Sequence, residues 1–432
     1  MAPFTILLVG RGGRESAFAY KLSQSKYVTK IYVGPGNGGT AQGIDKVSNL
    51  PGVSEEDFDR LVELSKKLQV NLVVPGPDVP VVNGIQSWFH NGKLLVFHAS
   101  RLRKRLLSWK ARKPFSKDFM ARHNIPTAAY RNFTSYDTAK QYLESIDFKV
   151  VLKASGLAAG KGVIIPDTKD EGLTALKQIM CEHEFGDAGN EIVIEEFLEG
   201  DELSILTFSD GITFKSMPPA QDHKRIFDHD QGPNTGGMGC YAPTRIASAA
   251  VLEEIEKSIL QPTFEGLRQE GKPFVGMLFT GIMLTKSGPK TLEYNARFGD
   301  PETQTLLPLL KSDLAEIMSA CVEGRLHDTD IVMNNESCAV VIVSSEGYPG
   351  PYPKGDHIEM DGRHVQGDAR FFYAGTALNE DGSLVTASGR VLGVSATAQT
   401  LEEAVAKAYE GVRTVQFNGM HYRKDIAYRA FR

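Results

Sequence analysis

The first ninety residues alternate short apolar runs with helical patterns, and no other feature limits the possible folds as strongly. Residues 5–9, 31–33 and 71–74 read as strands, and residues 16–25 as a helix. A second helix is expected over 54–68, opened by Ser54 with Glu55, Glu56 and Asp57 in its first turn, where acids complement the helix dipole. Strands separated by helices pair in parallel, with helices on both faces. The expected fold class is therefore α/β, starting with a doubly wound parallel sheet.

The pattern then changes. A helix is predicted over 115–123, and strands over 150–153 and 162–166 flank a glycine-rich turn. A helix at 168–181, a strand at 191–195 and a hairpin of 203–209 with 211–217 around Asp210-Gly211 follow. Residues 218–239 are long, polar and glycine-rich, and a structureless loop of that length is uncommon without a function. A helix at 249–270, antiparallel strands at 274–284 and 289–294, and a helix at 301–310 complete this region. A new strand at 337–344 begins a β-rich tail with one helix that Thr400 and Glu403 would cap, so a domain boundary is expected near residue 330.

Composition narrows the function classes. The chain has 432 residues and a formal charge of −5, so nothing calls for a polyanionic partner such as nucleic acid. No apolar run approaches the roughly 18 residues of a membrane span, and the amino-terminal stretch reads as a strand rather than a secretory signal. Cys181, Cys240, Cys321 and Cys338 are scattered without metal spacing, as in a reduced cytoplasmic protein.

Four segments carry chemistry. Gly10, Gly12 and Gly13 lie between a strand and a helix start, either as an anion site, favoured by Arg11 and Arg14, or as a tight turn needing positive φ. The segment from Lys153 to Val163, with Gly160, Lys161 and Gly162, joins two strands, which argues against a Walker-type loop. Its small residues let N–H groups approach a polyphosphate, and its two lysines neutralise one. Third, an apolar strand runs into Glu195 and Glu196. The backbone of Glu196, Phe197 and Leu198 suits an adenine edge and Glu202 suits ribose, although such acids also mark a solvated strand end. Last, Glu293 and Asn295 alternate onto one strand face with Arg297, and two hard oxygens there suit Mg²⁺ beside nucleotide phosphates.

Together these motifs resemble the ATP-grasp superfamily, and within it the phosphoribosylamine–glycine ligases. The resemblance is carried by Gly10 to Glu15, Pro35 to Thr40, Pro75 to Pro77, Phe115 to Phe119, Lys153 to Val163, Gln221 to Arg225, Gly232 to Gly239 and Glu293 to Gln304. It implies a Rossmann-like domain over 1–112, an ATP-grasp domain over 113–330 with a lid at about 126–196, and a small β-rich domain over 331–432. It also implies ATP-dependent joining of glycine to 5-phosphoribosylamine through a glycyl phosphate, in purine biosynthesis, with Mg²⁺ or Mn²⁺. Lys113 and Lys153 would then hold ATP phosphates beside Gly160, Lys161 and Gly162, and Glu195 to Leu198 would hold adenine. Glu202 would take the ribose, and Glu293 and Asn295 the metal. Asp222, Lys224 and Arg297 would act at the reacting groups. Arg225, Asn234, Thr235, Gly236, Gly237 and Asp300 would contact the small substrates, and Gly10, Gly12 and Gly13 the 5-phosphate. Neither nucleic acid nor membrane is an expected partner, and eukaryotic relatives fuse this ligase to other purine enzymes. Another ATP-grasp carboxylate–amine ligase and a non-catalytic nucleotide-binding module are the alternatives.

The chain departs from the family pattern twice. Ser16 stands where the family carries His, and the basic run from His98 to Arg112 replaces an Ala- and Glu-containing helix. The abrupt return of the match at Phe115 points to a local reading-frame change over 93–112. An intact mass of natively sourced protein equal to that of this sequence would exclude it.

Overall fold

The computed structural model describes residues 3–89, 94–97, 113–155, 162–182, 184, 186–361 and 369–432. Gly160, Lys161 and the basic run at 98–112 lie outside the described residues.

The amino-terminal alternation becomes a five-stranded parallel sheet in the order Val47–Asn49, Val28–Pro35, Phe4–Gly10, Leu72–Pro75, Leu95–Val96. Its central strand is apolar and buried except at Thr5, because helices cover both faces. The helix expected from Ser54 instead spans Phe58–Lys67, since Asp57 accepts the Arg60 N–H (3.1 Å) while Ser54 closes a local turn onto Glu56 N (3.3 Å).

Two antiparallel sheets follow. The first orders Tyr130–Phe133, Ile192–Glu196, Val150–Ala154, Val163–Ile164 under the helices Tyr136–Ser145 and Lys169–Met180. The second orders Phe214–Ser216, Asp201–Asp210, Val275–Thr285, Gly288–Asn295. Against it pack Phe119 and Met120 of the helix Lys113–Arg122 and Phe264 of Gln261–Gln269.

The last sheet crosses the expected boundary near residue 330. Its order is Gln221–Asp222, Gly239–Ala242, Ser337–Ser344, Arg390–Ala398, Ala369–Tyr373, so two strands come from the middle of the chain. Helix Leu401–Val412 covers it, with Thr400 capping the Glu403 N–H as expected. The region between its first two strands is not a structureless loop. Arg225–Phe227 pairs with Gln231–Asn234 as an antiparallel hairpin. Phe298 anchors the segment after Asn295 in the largest core, edge-on to Phe18 (4.8 Å) and Phe208 (5.6 Å). Among the described residues no helix is long and apolar enough to cross a membrane.

Candidate active site

A pocket opens between the two antiparallel sheets, lined by Lys113, Lys117, Lys153 and Glu195 on one side and Glu293 and Tyr294 on the other. Lys113 and Lys117 are four residues apart, hence on one helix face, and Lys113 Nζ donates to the Ala154 carbonyl (2.8 Å). Lys153 and Glu195 stand on adjacent antiparallel strands. Glu195 Oε2 receives both Lys117 Nζ and Lys153 Nζ at 2.9 Å, and its buried Oε1 has no hydrogen-bond partner. The carboxylate expected at adenine therefore faces the lysines. Burial alone would raise it, but the Lys153 and Lys117 ammonium groups hold it below the usual range. Lys117 Nζ also donates to Thr127 Oγ1 (2.7 Å), and burial pulls its ammonium down to about 8 despite Glu195.

Lys117 was missed in the sequence because a buried lysine is written like a surface one; its spacing from Lys113 was the only signal. Next to this pocket, Glu196 N–H donates to Ala129 O and Phe197 N–H to Lys149 O (both 2.8 Å), while Leu198 is buried. The Gly162 carbonyl accepts the Ala154 N–H (2.9 Å), closing the described end of the glycine-rich turn.

Glu293 and Asn295 lie on the strand opposite Gly281 and Phe279, after a register shift that bulges Leu292. Glu293 is exposed into the pocket, whereas Asn295 is 1% exposed and its Oδ1 has no hydrogen-bond partner. An orphaned buried amide oxygen beside a carboxylate is a hard donor pair, and the residues fit Mg²⁺, which fills its remaining positions with phosphate and water.

A second cluster adjoins this one. Lys224 Nζ pairs with Glu202, the residue expected at ribose. Burial would lower Lys224, but Glu202, Glu293 and Asp222 hold it well above the ordinary lysine range, so it is a fixed cation and not a base. Burial and the nearby Glu302 carboxyl push Asp222 up, and its Oδ1 is buried without a partner. Glu302 accepts from Ser204 (3.0 Å). Arg297 Nε donates to Asp78 (2.9 Å) and Nη1 to the Phe298 carbonyl (2.9 Å), which aims the guanidinium across the parallel sheet's loop end.

The residues expected at the small substrates converge from three regions. Thr235 N–H and Oγ1 both donate to the Lys224 carbonyl (2.7 and 2.8 Å). Arg225 and Asn234 face each other in the hairpin, where Arg225 Nη1 donates to Gly232 O (2.6 Å). Gly237 has φ +115°, and a Cβ there would overlap Pro301 and come within 2.8 Å of Asp222 Oδ1. The sequence reading missed Arg390. Its Nη1 donates to Gly236 O (2.9 Å) and Asp300 O (3.0 Å), and its Nη2 pairs with Asp300 Oδ2 (3.2 Å).

The first glycine loop has a structural occupant. Glu15 is buried, takes the Gly12 N–H (2.6 Å) and pairs with Arg14 (2.6 Å). A Cβ at Gly10 would lie 2.6 Å from the Glu15 carboxyl carbon, and one at Gly76 would fall on its carboxylate. Gly13 abuts Gln304, which in turn donates to Asp300 Oδ1 (2.7 Å). The close glycines therefore make room for Glu15.

Comparisons with known proteins match this arrangement along the chain. The phosphoribosylglycinamide synthetase N domain, ATP-grasp (A) domain and C domain match residues 4–106, 111–303 and 338–429. A phosphoribosylamine–glycine ligase of Halalkalibacterium halodurans is 43% identical, covering 98% of this chain and 97% of that protein. The chain belongs to the phosphoribosylglycinamide synthetase family. Within this family, a bifunctional purine biosynthetic protein of Schizosaccharomyces pombe is 56% identical over the whole chain, which spans 54% of that relative. The phosphoribosylamine–glycine ligase structure from Thermotoga maritima superposes with a TM-score of 0.82 at 29% identity, covering 97% of this chain and 99% of that one. A biotin carboxylase domain from Hydrogenobacter thermophilus shares the fold alone, with a TM-score of 0.76 at 14% identity over 98% of this chain and 92% of that one.

Proposed function

We propose that this chain joins glycine to 5-phosphoribosylamine at the expense of ATP, giving glycinamide ribonucleotide, ADP and phosphate. The observation that carries the reading is the pairing of a lysine-walled pocket with Glu293 and Asn295 on its opposite wall. The bacterial ligase relative, matched over almost its full length, supports the choice of substrates.

ATP enters between the two antiparallel sheets. Lys113, Lys117 and Lys153 neutralise its phosphates, and the backbone from Glu196 to Leu198 meets the adenine. Glu195 favours the charged form of buried Lys117 and aligns Lys153 beside it. Glu293 and Asn295 would hold Mg²⁺, which when bound would supply charge neutralisation to the polyphosphate. Glycine's carboxylate attacks the terminal phosphoryl group, forming glycyl phosphate and releasing ADP. The amine then attacks the acyl carbon, phosphate leaves, and the amine gives up a proton. Arg297 and Lys224 are fixed cations for the charge that builds on the transferred group. Asp222, whose buried Oδ1 is unpartnered, receives the amine's proton. No side-chain nucleophile is needed, so catalysis rests on positioning and charge. The bifunctional and trifunctional relatives support a ligase unit that also occurs joined to further purine-pathway enzymes.

The test is steady-state ADP release with phosphoribosylamine generated in the cuvette. Release that requires both glycine and the amine is expected. Release with a different acceptor or acid, or ATP binding without turnover, overturns the proposal.

A further inference from the structure

The hairpin Arg225–Phe227 / Gln231–Asn234 cannot hold itself in place. It is paired only at Arg225 with Asn234 and Phe227 with Gln231, its second strand is mostly exposed, and that strand contains Gly232 and Pro233. Isolated two-stranded hairpins are marginal in water. Its tip is also costly, since His229 and Asp230 have φ of +57° and +55°, a region that side-chain-bearing residues avoid.

What holds it is the segment 421–429, almost two hundred residues away. Arg423 is 0% exposed, and its Nη1 donates to Asp230 Oδ1 (2.9 Å) and to the Arg225 carbonyl (3.2 Å). Arg429 and the Tyr428 hydroxyl both close on Asp230 Oδ2. Asp425, paired with Arg423, accepts the His229 N–H (2.7 Å), and Asp228 accepts the Lys424 N–H (2.8 Å). Beneath them, buried His223 accepts the Ala427 N–H (3.2 Å) through Nε2. A fully buried arginine that gives Nη1 to Asp230 and the Arg225 carbonyl, and Nε and Nη2 to the Asp425 carboxylate that itself holds the His229 N–H, is a clasp, because its desolvation is fully balanced only while the hairpin stays seated.

We propose that Asp230, gripped by Arg423, Tyr428 and Arg429, is a positioning residue that sets the hairpin carrying Arg225 and Asn234, and through it the affinity for the amine substrate. This rests on the ligase reading of the site. The clasp touches none of the residues lining the lysine-walled pocket, so it acts on the amine and not on ATP.

The test uses the full chain with Asp230→Asn and the milder Tyr428→Phe. Asp230→Asn is expected to raise the KM for phosphoribosylamine by roughly tenfold or more, with the KM for ATP and kcat within about twofold of wild type. Tyr428→Phe shifts the same constant by a smaller factor, and decides the matter if Asp230→Asn does not fold. Amide hydrogen exchange over 225–234 is expected to quicken in both variants. An unchanged amine KM, or parallel losses in all kinetic constants, overturns the clasp. Exchange needs no turnover, so if the wild-type chain shows no ligase activity, unchanged exchange over 225–234 still overturns it and faster exchange upholds it.

Discussion

Lys117→Met separates the structural from the chemical role of the lysine-walled pocket. The Lys117 ammonium sits at about 8 instead of 10.5, which corresponds to roughly 3 kcal/mol against keeping it charged in the fold. Methionine has a similar length and removes that cost. It also removes one of the two cations on Glu195, and a charge-assisted hydrogen bond contributes about 1.5–3 kcal/mol. Lys153 remains at 2.9 Å, so Glu195 is not left unpaired. The Lys117–Glu195 attraction is already contained in the net shift, so stability at pH 7 should equal that of wild type or exceed it by up to about 3 kcal/mol. ATP meets a wall with one cation fewer, so its kcat/KM should fall roughly tenfold to a hundredfold.

The pH dependence gives a second readout. The folded value of Lys117 lies below its unfolded one, so between about 8 and 10.5 the unfolded chain binds more protons and stability rises with pH. Across the same range the wild-type kcat/KM for ATP should decline as the cation is lost. The variant should show neither trend. Urea unfolding at neutral and alkaline pH, with ATP kinetics alongside, measures both. A loss above about 4 kcal/mol with unchanged ATP kinetics would refute the reasoning, as would a variant that keeps both pH trends.

Other perturbations probe the remaining parts. Glu293→Ala should abolish glycine-dependent ADP release, because Asn295 alone cannot hold a divalent ion; near-normal turnover removes the metal assignment. Gly237→Ala forces a Cβ onto Pro301 at φ +115° and should destabilise by about 1–3 kcal/mol in urea while lowering kcat at least about tenfold. Arg390→Met frees three carbonyls and the Asp300 carboxylate, and should reduce kcat/KM for the small substrates by roughly tenfold to a hundredfold with the ATP KM unchanged. Equal losses for all three substrates would assign Arg390 to general stability instead.

Local pattern made much of the fold legible. Period and caps located the parallel sheet, the lid strands around Lys153 and the helix capped by Thr400, because each depends on neighbours within a few residues. Glu293 and Asn295 were legible for the same reason, since alternation along one strand determines a shared face. What stayed hidden depends on distance along the chain. The hairpin at 225–234 reads as loop because its seating comes from Arg423, Tyr428 and Arg429. Arg390 lies ninety residues beyond Asp300. Burial was equally invisible: Lys117 and Glu15 look like surface charges, and only the fold shows the Glu15 side chain filling the space beside the glycines at 10, 12 and 76.

The sheet that crosses residue 330 has a consequence for how the chain is made. Lys113, Lys117, Lys153, Glu195 and Glu293 all precede residue 295, so a growing chain carries the whole lysine-walled pocket before the residues after 295 are added. The strand Gly239–Ala242 must wait for Ser337–Ser344, and the hairpin waits longer, for residues 421–429. During synthesis from the amino terminus, the proposed nucleotide pocket therefore precedes the proposed seat for the acceptor. A chain stopped near 330 would display an unpaired apolar strand edge, the kind of surface that chaperones bind and neighbouring chains aggregate on.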